Sequence, residues 1–276
     1  MEKIYRNIEE IKEKKPLVHS ITNYVTVNDC ANILLACGAS PIMADDEQEV
    51  EEITSICSSL SLNIGTLNSR TIKSMELAGK KANEISNPVI FDPVGVGASH
   101  FRTETAKKLI NKIKMSVIRG NVSEIMTIAK GAGNTVGVDA DDRDAVTENN
   151  LEMKIEIIKR LSEELDSIIA VTGAIDIVTD SKKTYIIRNG HPMMSQITGA
   201  GCMLTALIAA FCGADQNYLI EATVSAVVLM GLSGEKAYEK IKQENLGTAS
   251  YRVALIDEIS KITSKEMETG AKIEIR

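Results

Sequence analysis

The chain has 276 residues and a net charge of −7, with 44% hydrophobic and 25% charged residues, a composition typical of a folded protein with a substantial core. An acidic balance excludes a general nucleic-acid or membrane-surface binder, because both depend on an excess of Lys and Arg. There is no apolar run of about 18 residues, so no membrane span is expected. Five cysteines without C-x-x-C and three histidines without metal-ligand spacing exclude a structural zinc site and favour a reducing, cytoplasmic location.

Short strands alternate with helices through the first 173 residues. Strands are predicted where apolar or β-branched runs end at Gly, Pro, Asp or Asn, at 16–21, 40–45, 60–65, 88–93, 116–121 and 167–173. Helices are predicted at 26–37, 47–60, 69–86, 103–114, 122–130 and 148–165. The repeated order of strand and helix predicts an α/β fold, with a mostly parallel central sheet flanked by helices on both faces.

The pattern changes after residue 173. "AIDIVTD" and "TYIIRNG", joined by the polar "SKK", predict an antiparallel hairpin at the edge of the sheet. Three helices are predicted to follow, at 201–213, 217–241 and 249–264. The Gly- and Asp-rich stretch 130–146 is predicted to be a surface loop. Because the sequence has no linker, repeat or low-complexity tract, residues 1–276 are expected to form a single domain.

Polar residues and glycines close the predicted parallel strands. They are Asn23, Met43 to Asp46, Gly65, Asn68, Asp92 with the following "GVG", 119–121, and Thr172 with Gly173. Ligands of open α/β sheets bind at the carboxyl ends of the strands. These residues therefore predict one common site at that edge.

The stretch "TGAGC" at 198–202 places two glycines and a thiol in front of a strongly apolar helix. Small residues leave the N–H groups of a helix N-terminus open to phosphate or a developing oxyanion. The same end of a helix favours the thiolate form of a cysteine in its first turn. Cys202 is therefore a candidate general base for a substrate hydroxyl. A plain glycine turn before a core helix accounts equally well for the local sequence.

Several motifs together resemble known kinases. "TGAGC", "FDPVGVGAS" at 91–99 and "IRGNVSE" at 118–124 are similar to the ribokinase-like superfamily of small-molecule kinases. A Cys in place of that superfamily's usual Asp, with "PLVHSITNYV" at 16–25 and "GASPIMADDEQEVEE" at 38–52, resembles the hydroxyethylthiazole kinase family. The resemblance continues in the same order to "GTASYRVALIDEI" at 247–259.

The resemblance implies ATP-dependent phosphorylation of the hydroxyl of 4-methyl-5-(2-hydroxyethyl)thiazole, a step of thiamine salvage and biosynthesis. It also implies a homotrimer with active sites at the subunit interfaces. Matched by motif, Met43 and Gly199 would contact the thiazole, and Asn23 and Val25 would flank it. Ala200 stands where the family often has Thr, so the hydroxyl at that position is absent and a side-chain phosphate contact there is not expected.

The resemblance assigns further residues to the nucleotide and to a metal. Arg119, Thr172 and Gly201 would bind the phosphates of ATP, and Asp92 and Glu124 would organise Mg²⁺. This agrees with the needs of phosphoryl transfer, which are positioning and charge neutralisation. Taken singly, Asp92 could be a turn residue, Glu124 a solvated charge of a first helical turn, and Arg119 an ion-pair partner.

Other functions on the same scaffold stay open. A sibling kinase could phosphorylate hydroxymethylpyrimidine or another small alcohol, because fold does not fix substrate. A nucleotide-dependent NAD(P)H-hydrate dehydratase shares the scaffold, but its glycine turn is expected to end in Asp. A non-catalytic thiazole or nucleotide sensor would have no need of a base and metal ligands.

Overall fold

A nine-stranded sheet organises residues 1–131 and 145–276, which are the residues described by this computed structural model. The strands, in chain order, are β1 (Leu17–Ile21), β2 (Ser40–Ile42), β3 (Ser59–Asn63), β4 (Val89–Asp92), β5 (Val117–Asn121), β6 (Ile168–Thr172), β7 (Asp176–Thr179), β8 (Thr184–Ile187) and β9 (Ile273–Ile275). Their order across the sheet is β2-β1-β3-β4-β5-β6-β7-β8-β9.

Strands β1 to β6 run parallel, whereas β7, β8 and β9 add antiparallel pairs to the β6 side. The predicted α/β class, the parallel sheet and the β7–β8 hairpin are thus confirmed. The outermost strand on that side is β9, which the sequence did not predict and which pairs with β8. In register, Asn63 lies beside Asp92 and Asn121 beside Thr172, so the parallel strands end side by side.

Helices connect these strands and cover the sheet. They are α1 (Glu2–Lys14), α2 (Val27–Cys37), α3 (Val50–Ile56), α4 (Ser69–Glu84), α5 (His100–Lys112), α6 (Val122–Gly131), α7 (Leu151–Leu165), α8 (Ala200–Ala214), α9 (Leu219–Gln243), α10 (Thr248–Lys261) and α11 (Ser264–Gly270). A short 3₁₀ helix, Pro192–Gln196, precedes α8. None of the helices in the described ranges is both long and apolar enough to cross a bilayer.

Two hydrophobic cores lie on opposite faces of the sheet. Within β4, Val89 and Phe91 belong to one core and Ile90 to the other, as expected from the alternation of side chains along a strand. Helices α1, α2, α8, α9 and α10 contribute to the core of Ile90, and α4 to α7 contribute to the opposite core. Helix α8 is buried continuously from 203 to 212, which explains why it is apolar on all sides.

Three predicted elements differ in extent from those observed. The predicted strand 40–45 is only the three-residue β2, because the carbonyl of Ala44 is bound by His19 Nε2 at 2.8 Å. The predicted helix 47–60 is limited to α3. The predicted helix 249–264 is observed as α10, which ends at Lys261. A further helix that the sequence did not predict, α11, follows it, because Thr263 forms a reciprocal capping box with Glu266. The predicted loop at 130–146 falls largely on 132–144, outside the described residues.

Candidate active site

The carboxyl ends of β1, β3, β4, β5 and β6 face the N-terminus of α8, and polar side chains from all six elements meet there. The central member is Asp92, at the end of β4, which is fully buried. Its Oδ2 accepts hydrogen bonds from Asn63 Nδ2 at 2.9 Å and from Thr205 Oγ1 at 2.8 Å. Arg119 Nη1 lies 3.6 Å from the same oxygen.

The other carboxylate oxygen of Asp92, Oδ1, is buried and has no hydrogen-bond partner among the described residues. Burial raises the pKa of Asp92 to about 6; the negative charge of Glu124 adds to the rise and the positive charge of Arg119 opposes it. The carboxyl group is therefore mostly ionised at neutral pH. One of its oxygens is fixed by donors, and the second is available to a cation.

Arg119 connects Asp92 with Thr172 and with the start of α8. Its Nη2 donates a hydrogen bond to Thr172 Oγ1 at 2.5 Å. The guanidinium lies so close to the backbone of Gly201 that a Cβ at that position would collide with it. Its buried Nε has no hydrogen-bond partner in the described part of the chain. The arginine is thus held at the first turn of α8, where a positive charge and helix amides suit a phosphate.

Glu124, the last residue of "IRGNVSE", forms a capping box with Asn121 at the start of α6. Asn121 Oδ1 accepts the backbone N–H of Glu124 at 2.9 Å, and Glu124 Oε2 accepts the backbone N–H of Asn121 at 2.8 Å. Glu124 Oε1 accepts the N–H of Gly95 at 2.9 Å. The glutamate therefore ties the loop after β4 to α6 and brings a second negative charge close to Asp92.

Cys202 and Asn23 form a direct contact. Asn23 Nδ2 donates to Cys202 Sγ at 3.3 Å and to Asn63 Oδ1 at 3.0 Å. Asn23 Oδ1 accepts from both the N–H and the hydroxyl of Thr26 at 3.1 Å. The thiol is partly exposed, and the other four cysteines are buried. The carboxamide N–H thus holds the sulfur in place at the first turn of α8.

The glycine turn before α8 needs glycine at Gly199 for two reasons. Its φ is 85°, in the left-handed region, and a Cβ there would lie 2.7 Å from Thr26 Cγ2. Met43 is half-buried against the core that contains α8, as are Cys202 and Met194.

The structure brings Asn23, Cys202, Asp92, Arg119 and Thr172 together through hydrogen bonds or an ion pair. Gly201 lies against Arg119, and Gly199 lies against Thr26, which is hydrogen-bonded to Asn23. Glu124 affects this group in two ways: its negative charge raises the pKa of Asp92, and it accepts the N–H of Gly95 in the loop after β4. Val25 does not enter the polar cluster, because its side chain is 58% exposed.

Sequence reasoning missed three polar residues of the site, Asn63, Thr205 and Asp176. The first two bind Asp92, and Asp176 accepts the N–H of Gly173 at 2.8 Å. Burial raises the pKa of Asp176 to about 7. One signal was present for Thr205, which is a polar residue inside an otherwise apolar helix, and buried polar groups need partners.

Comparisons with known proteins agree with this geometry. Residues 8–265 match the model of the hydroxyethylthiazole kinase family. A hydroxyethylthiazole kinase from Clostridium acetobutylicum is 53% identical, with 97% of both chains covered. Another from Clostridium beijerinckii is 54% identical over 98% of this chain and 96% of its own.

Solved structures extend the comparison to the fold. A hydroxyethylthiazole kinase protein from Pyrococcus horikoshii has a TM-score of 0.90 and 36% sequence identity, with 100% of both chains covered. The pyridoxal kinase from Staphylococcus aureus, at 15% identity and a TM-score of 0.55 over 79% of this chain and 88% of its own, shares only the ribokinase-like fold. By its match to the family model and to full-length relatives, this chain belongs to the hydroxyethylthiazole kinase family.

Proposed function

We propose that this protein transfers the terminal phosphoryl group of ATP to the hydroxyl of 4-methyl-5-(2-hydroxyethyl)thiazole, as a step of thiamine salvage and biosynthesis. The observation that carries the proposal is the composition of the first turn of α8. It presents the partly exposed thiol of Cys202 within one residue of Gly201, against which Arg119 packs. A proton acceptor and a phosphate-binding cation are the two groups that transfer to an alcohol requires.

The phosphates of ATP would be bound by Arg119, Thr172 and the amides around Gly201. Arg119 already has one N–H on Thr172, and its Nε has no hydrogen-bond partner within residues 1–131 and 145–276. A guanidinium offers five N–H donors in a planar fork, so it can serve Thr172 and a phosphate together. Its charge then opposes the negative charge that develops on the transferred group.

Cys202 would accept the proton of the substrate hydroxyl. The sulfur receives a hydrogen bond from Asn23 and lies in the first turn of α8, a position that suits a proton acceptor. The hydroxyl oxygen then attacks the terminal phosphorus, the bond from phosphorus to the bridging oxygen breaks, and ADP leaves. Asn23 can keep its hydrogen bond to the sulfur throughout this step.

The residues at the end of β4 fit a magnesium ion. The unpartnered Oδ1 of Asp92 is a hard oxygen ligand, and Glu124 adds a second carboxylate nearby. Mg²⁺ is held in most phosphate-transfer sites by few carboxylates together with water and substrate phosphates. When bound, it supplies neutralisation of phosphate charge. Asn63 and Thr205 meanwhile hold Asp92 in place.

The thiazole ring would be bound by Met43, Gly199, Asn23 and Val25, in an active site completed by a second subunit of a homotrimer. Two observations support a subunit interface here. Tyr24 and Val25 directly follow Asn23 and are 78% and 58% exposed, although both are apolar or aromatic. A neighbouring copy that covers them would also close the thiazole pocket.

We also infer that residues 1–276 form a single domain located in the cytoplasm. The sheet supports the first inference, because it is continuous from β1 to β9 and takes strands from both ends of the chain. The second rests on the five free cysteines, which are typical of a reducing compartment.

The experiment that tests the proposal measures ADP release with MgATP and single alcohols: the hydroxyethylthiazole, hydroxymethylpyrimidine, pyridoxal, ribose, and no acceptor. The proposal predicts a clear preference for the thiazole. Activity with a different alcohol alone would move the function to a sibling kinase. If all acceptors fail while the thiazole still raises the melting temperature, the protein is a sensor and the proposal is wrong.

A further inference from the structure

We propose that Asn63 is a positioning residue of this site, which orients both the metal-binding carboxylate of Asp92 and, through Asn23, the thiol of Cys202. The inference rests on the proposed function and adds a residue to it. Asn63 ends β3 and is 2% exposed. It is two hydrogen bonds away from the thiol and one from the carboxylate.

The orientation of the Asn63 carboxamide follows from its neighbours. The backbone N–H of Gly65 lies 2.9 Å from Asn63 Oδ1 and can only donate. The oxygen of the carboxamide must therefore face Gly65, and its NH₂ group must face Asp92 Oδ2, which accepts when ionised. A flipped carboxamide would lose both bonds in a buried position.

The orientation of Asn23 is fixed in the same way. The backbone N–H of Thr26 donates to Asn23 Oδ1 at 3.1 Å, so the NH₂ group points in the opposite direction. It then divides its two hydrogens between Asn63 Oδ1 and Cys202 Sγ. Because Gly65 packs directly against the Asn23 side chain, with no room for a Cβ between them, this carboxamide has little freedom to turn.

The result is a chain of hydrogen bonds with an anion-forming group at each end, the carboxylate of Asp92 and the thiol of Cys202. Asn63 donates to Asp92, and Asn23 donates to Cys202, while Asn63 Oδ1 anchors Asn23. Removing Asn63 should therefore disturb the carboxylate and the thiol together.

Thr205 is a matched control for this inference. Its hydroxyl donates to the same oxygen of Asp92 at 2.8 Å and also contacts the carbonyl of Gly201. It has no hydrogen bond to Asn23 or Cys202 among those of the described residues. Loss of the Thr205 hydroxyl should thus affect the carboxylate and leave the thiol as it is.

The test measures the rate at which iodoacetamide alkylates Cys202 in the folded protein without ATP, thiazole or metal. The four other cysteines are buried, and burial raises their pKa to about 12 for Cys30, Cys37 and Cys212 and about 11 for Cys57, so they react slowly. At pH 7, Asn63→Ala should slow alkylation about tenfold, because the hydrogen bond that favours the thiolate is no longer anchored. Thr205→Val should change the rate less than about twofold.

Two further measurements separate positioning from general damage. The rates of Asn63→Ala and the wild type should converge near pH 10, where an ordinary thiol is ionised without help. The double variant Asn23→Ala/Asn63→Ala should react no more slowly than Asn23→Ala alone, because Asn63 acts on the sulfur only through Asn23. If Asn63→Ala does not fold, Asn63→Ser, which is too short to reach both partners, should show the same slowing.

Equal or faster alkylation of a folded Asn63 variant at pH 7, or an equal slowing in Thr205→Val, would overturn the inference. Because the assay uses no substrate, its result is independent of the phosphoryl acceptor. A wild-type protein that phosphorylates no thiazole but shows the predicted contrast in alkylation would refute the proposed function and leave the role of Asn63 in the thiol's environment supported.

Discussion

The guanidinium of Arg119 lies directly against the backbone of Gly201, in the first turn of α8, with no space for a side chain between them. Gly201 has no positive φ, so its backbone conformation does not require glycine. The contact with Arg119 explains the glycine instead, because a side chain there would collide with the guanidinium. The glycine allows a cation to approach the helix end from which a phosphate would be bound.

Replacing Gly201 with Ala should therefore weaken nucleotide binding. The new Cβ would displace the guanidinium from Thr172 and Asp92, and we expect kcat/KM for ATP to fall about 10- to 100-fold. Steady-state kinetics with varied ATP measure the change. Gly247→Ala is the control, since no atom lies within 4 Å of its Cβ position. An unchanged KM and kcat in Gly201→Ala would contradict the placement of Arg119 at the phosphates.

Cys202→Ala should lower turnover more than it raises the KM of the acceptor. General-base catalysis contributes about 100-fold or more, and the loss should appear in kcat. Cys202→Asp should keep measurable activity, because a carboxylate can accept the same proton. Rapid-quench or coupled ADP assays give both constants. Full turnover in Cys202→Ala would show that helix amides, Arg119 and metal suffice without a base.

Asp92→Asn should abolish the stimulation by Mg²⁺ while the protein stays folded. The amide keeps an oxygen for the donors Asn63 and Thr205, but it has no negative charge to offer a cation. We expect activity at saturating Mg²⁺ to fall at least about 100-fold. A melting curve without metal shows whether the fold is intact. Mg²⁺ stimulation equal to that of the wild type would remove Asp92 from the metal site.

Glu124→Gln should have two effects. The first is a rise in the Mg²⁺ concentration needed for half-maximal activity, by roughly three- to tenfold. The second concerns pH: the charge of Glu124 is one cause of the raised pKa of Asp92, so its removal should lower that pKa from about 6. Asp92 is required in its ionised form, and activity falls as the pH drops through its pKa. The acidic limb of the kcat profile should therefore move to lower pH in Glu124→Gln. A shift to higher pH, with an unchanged Mg²⁺ titration, would contradict this role.

The stability of Asp176→Asn relative to the wild type should be greater at pH 8 than at pH 5. Burial raises the folded-state pKa of Asp176 to about 7, above its ordinary value of 3.8. Between these values the folded state binds more protons than the unfolded state, so the free energy of unfolding of the wild type falls as the pH rises through this window. The amide does not titrate, and it can still accept the N–H of Gly173.

The size of this effect can be bounded from linkage. Between pH 5 and pH 8, the free energy of unfolding of Asp176→Asn should rise relative to that of the wild type by about 1 kcal/mol or more. Urea denaturation at the two pH values measures it. Lys182→Gln, on the exposed β7–β8 turn, is a control for general charge effects. The opposite sign in Asp176→Asn would show that its carboxylate is stabilised by Arg119 more than it is penalised by burial.

Much of the site could be predicted because strand ends are local features. Asp92 and Arg119 close or nearly close short apolar runs, and parallel strands bring such ends together. The resemblance carried by "IRGNVSE" predicts that Glu124 organises Mg²⁺. The reciprocal hydrogen bonds of Asn121 and Glu124 also follow from the local rule for a capping box. The position of Glu124 three residues after Asn121 therefore already indicates a structural role.

The residues that were missed depend on tertiary contacts. Asn63 acquires its importance only when the register of β3 and β4 sets it beside Asp92, and no local pattern gives that register. Thr205 is one polar residue in a helix that is apolar all round, so sequence periodicity does not show which face it uses. Strand β9 has three residues and forms only because the edge of β8 is available to it.

The central claim is tested most directly by a competition between the hydroxyethylthiazole and hydroxymethylpyrimidine, present together with MgATP, with the products followed by ³¹P NMR. The account predicts one phosphate monoester, on the hydroxyethyl group of the thiazole, formed in step with ADP and almost absent in Cys202→Ala. A monoester on the pyrimidine alone, or ADP formed without any phosphorylated alcohol, would contradict it.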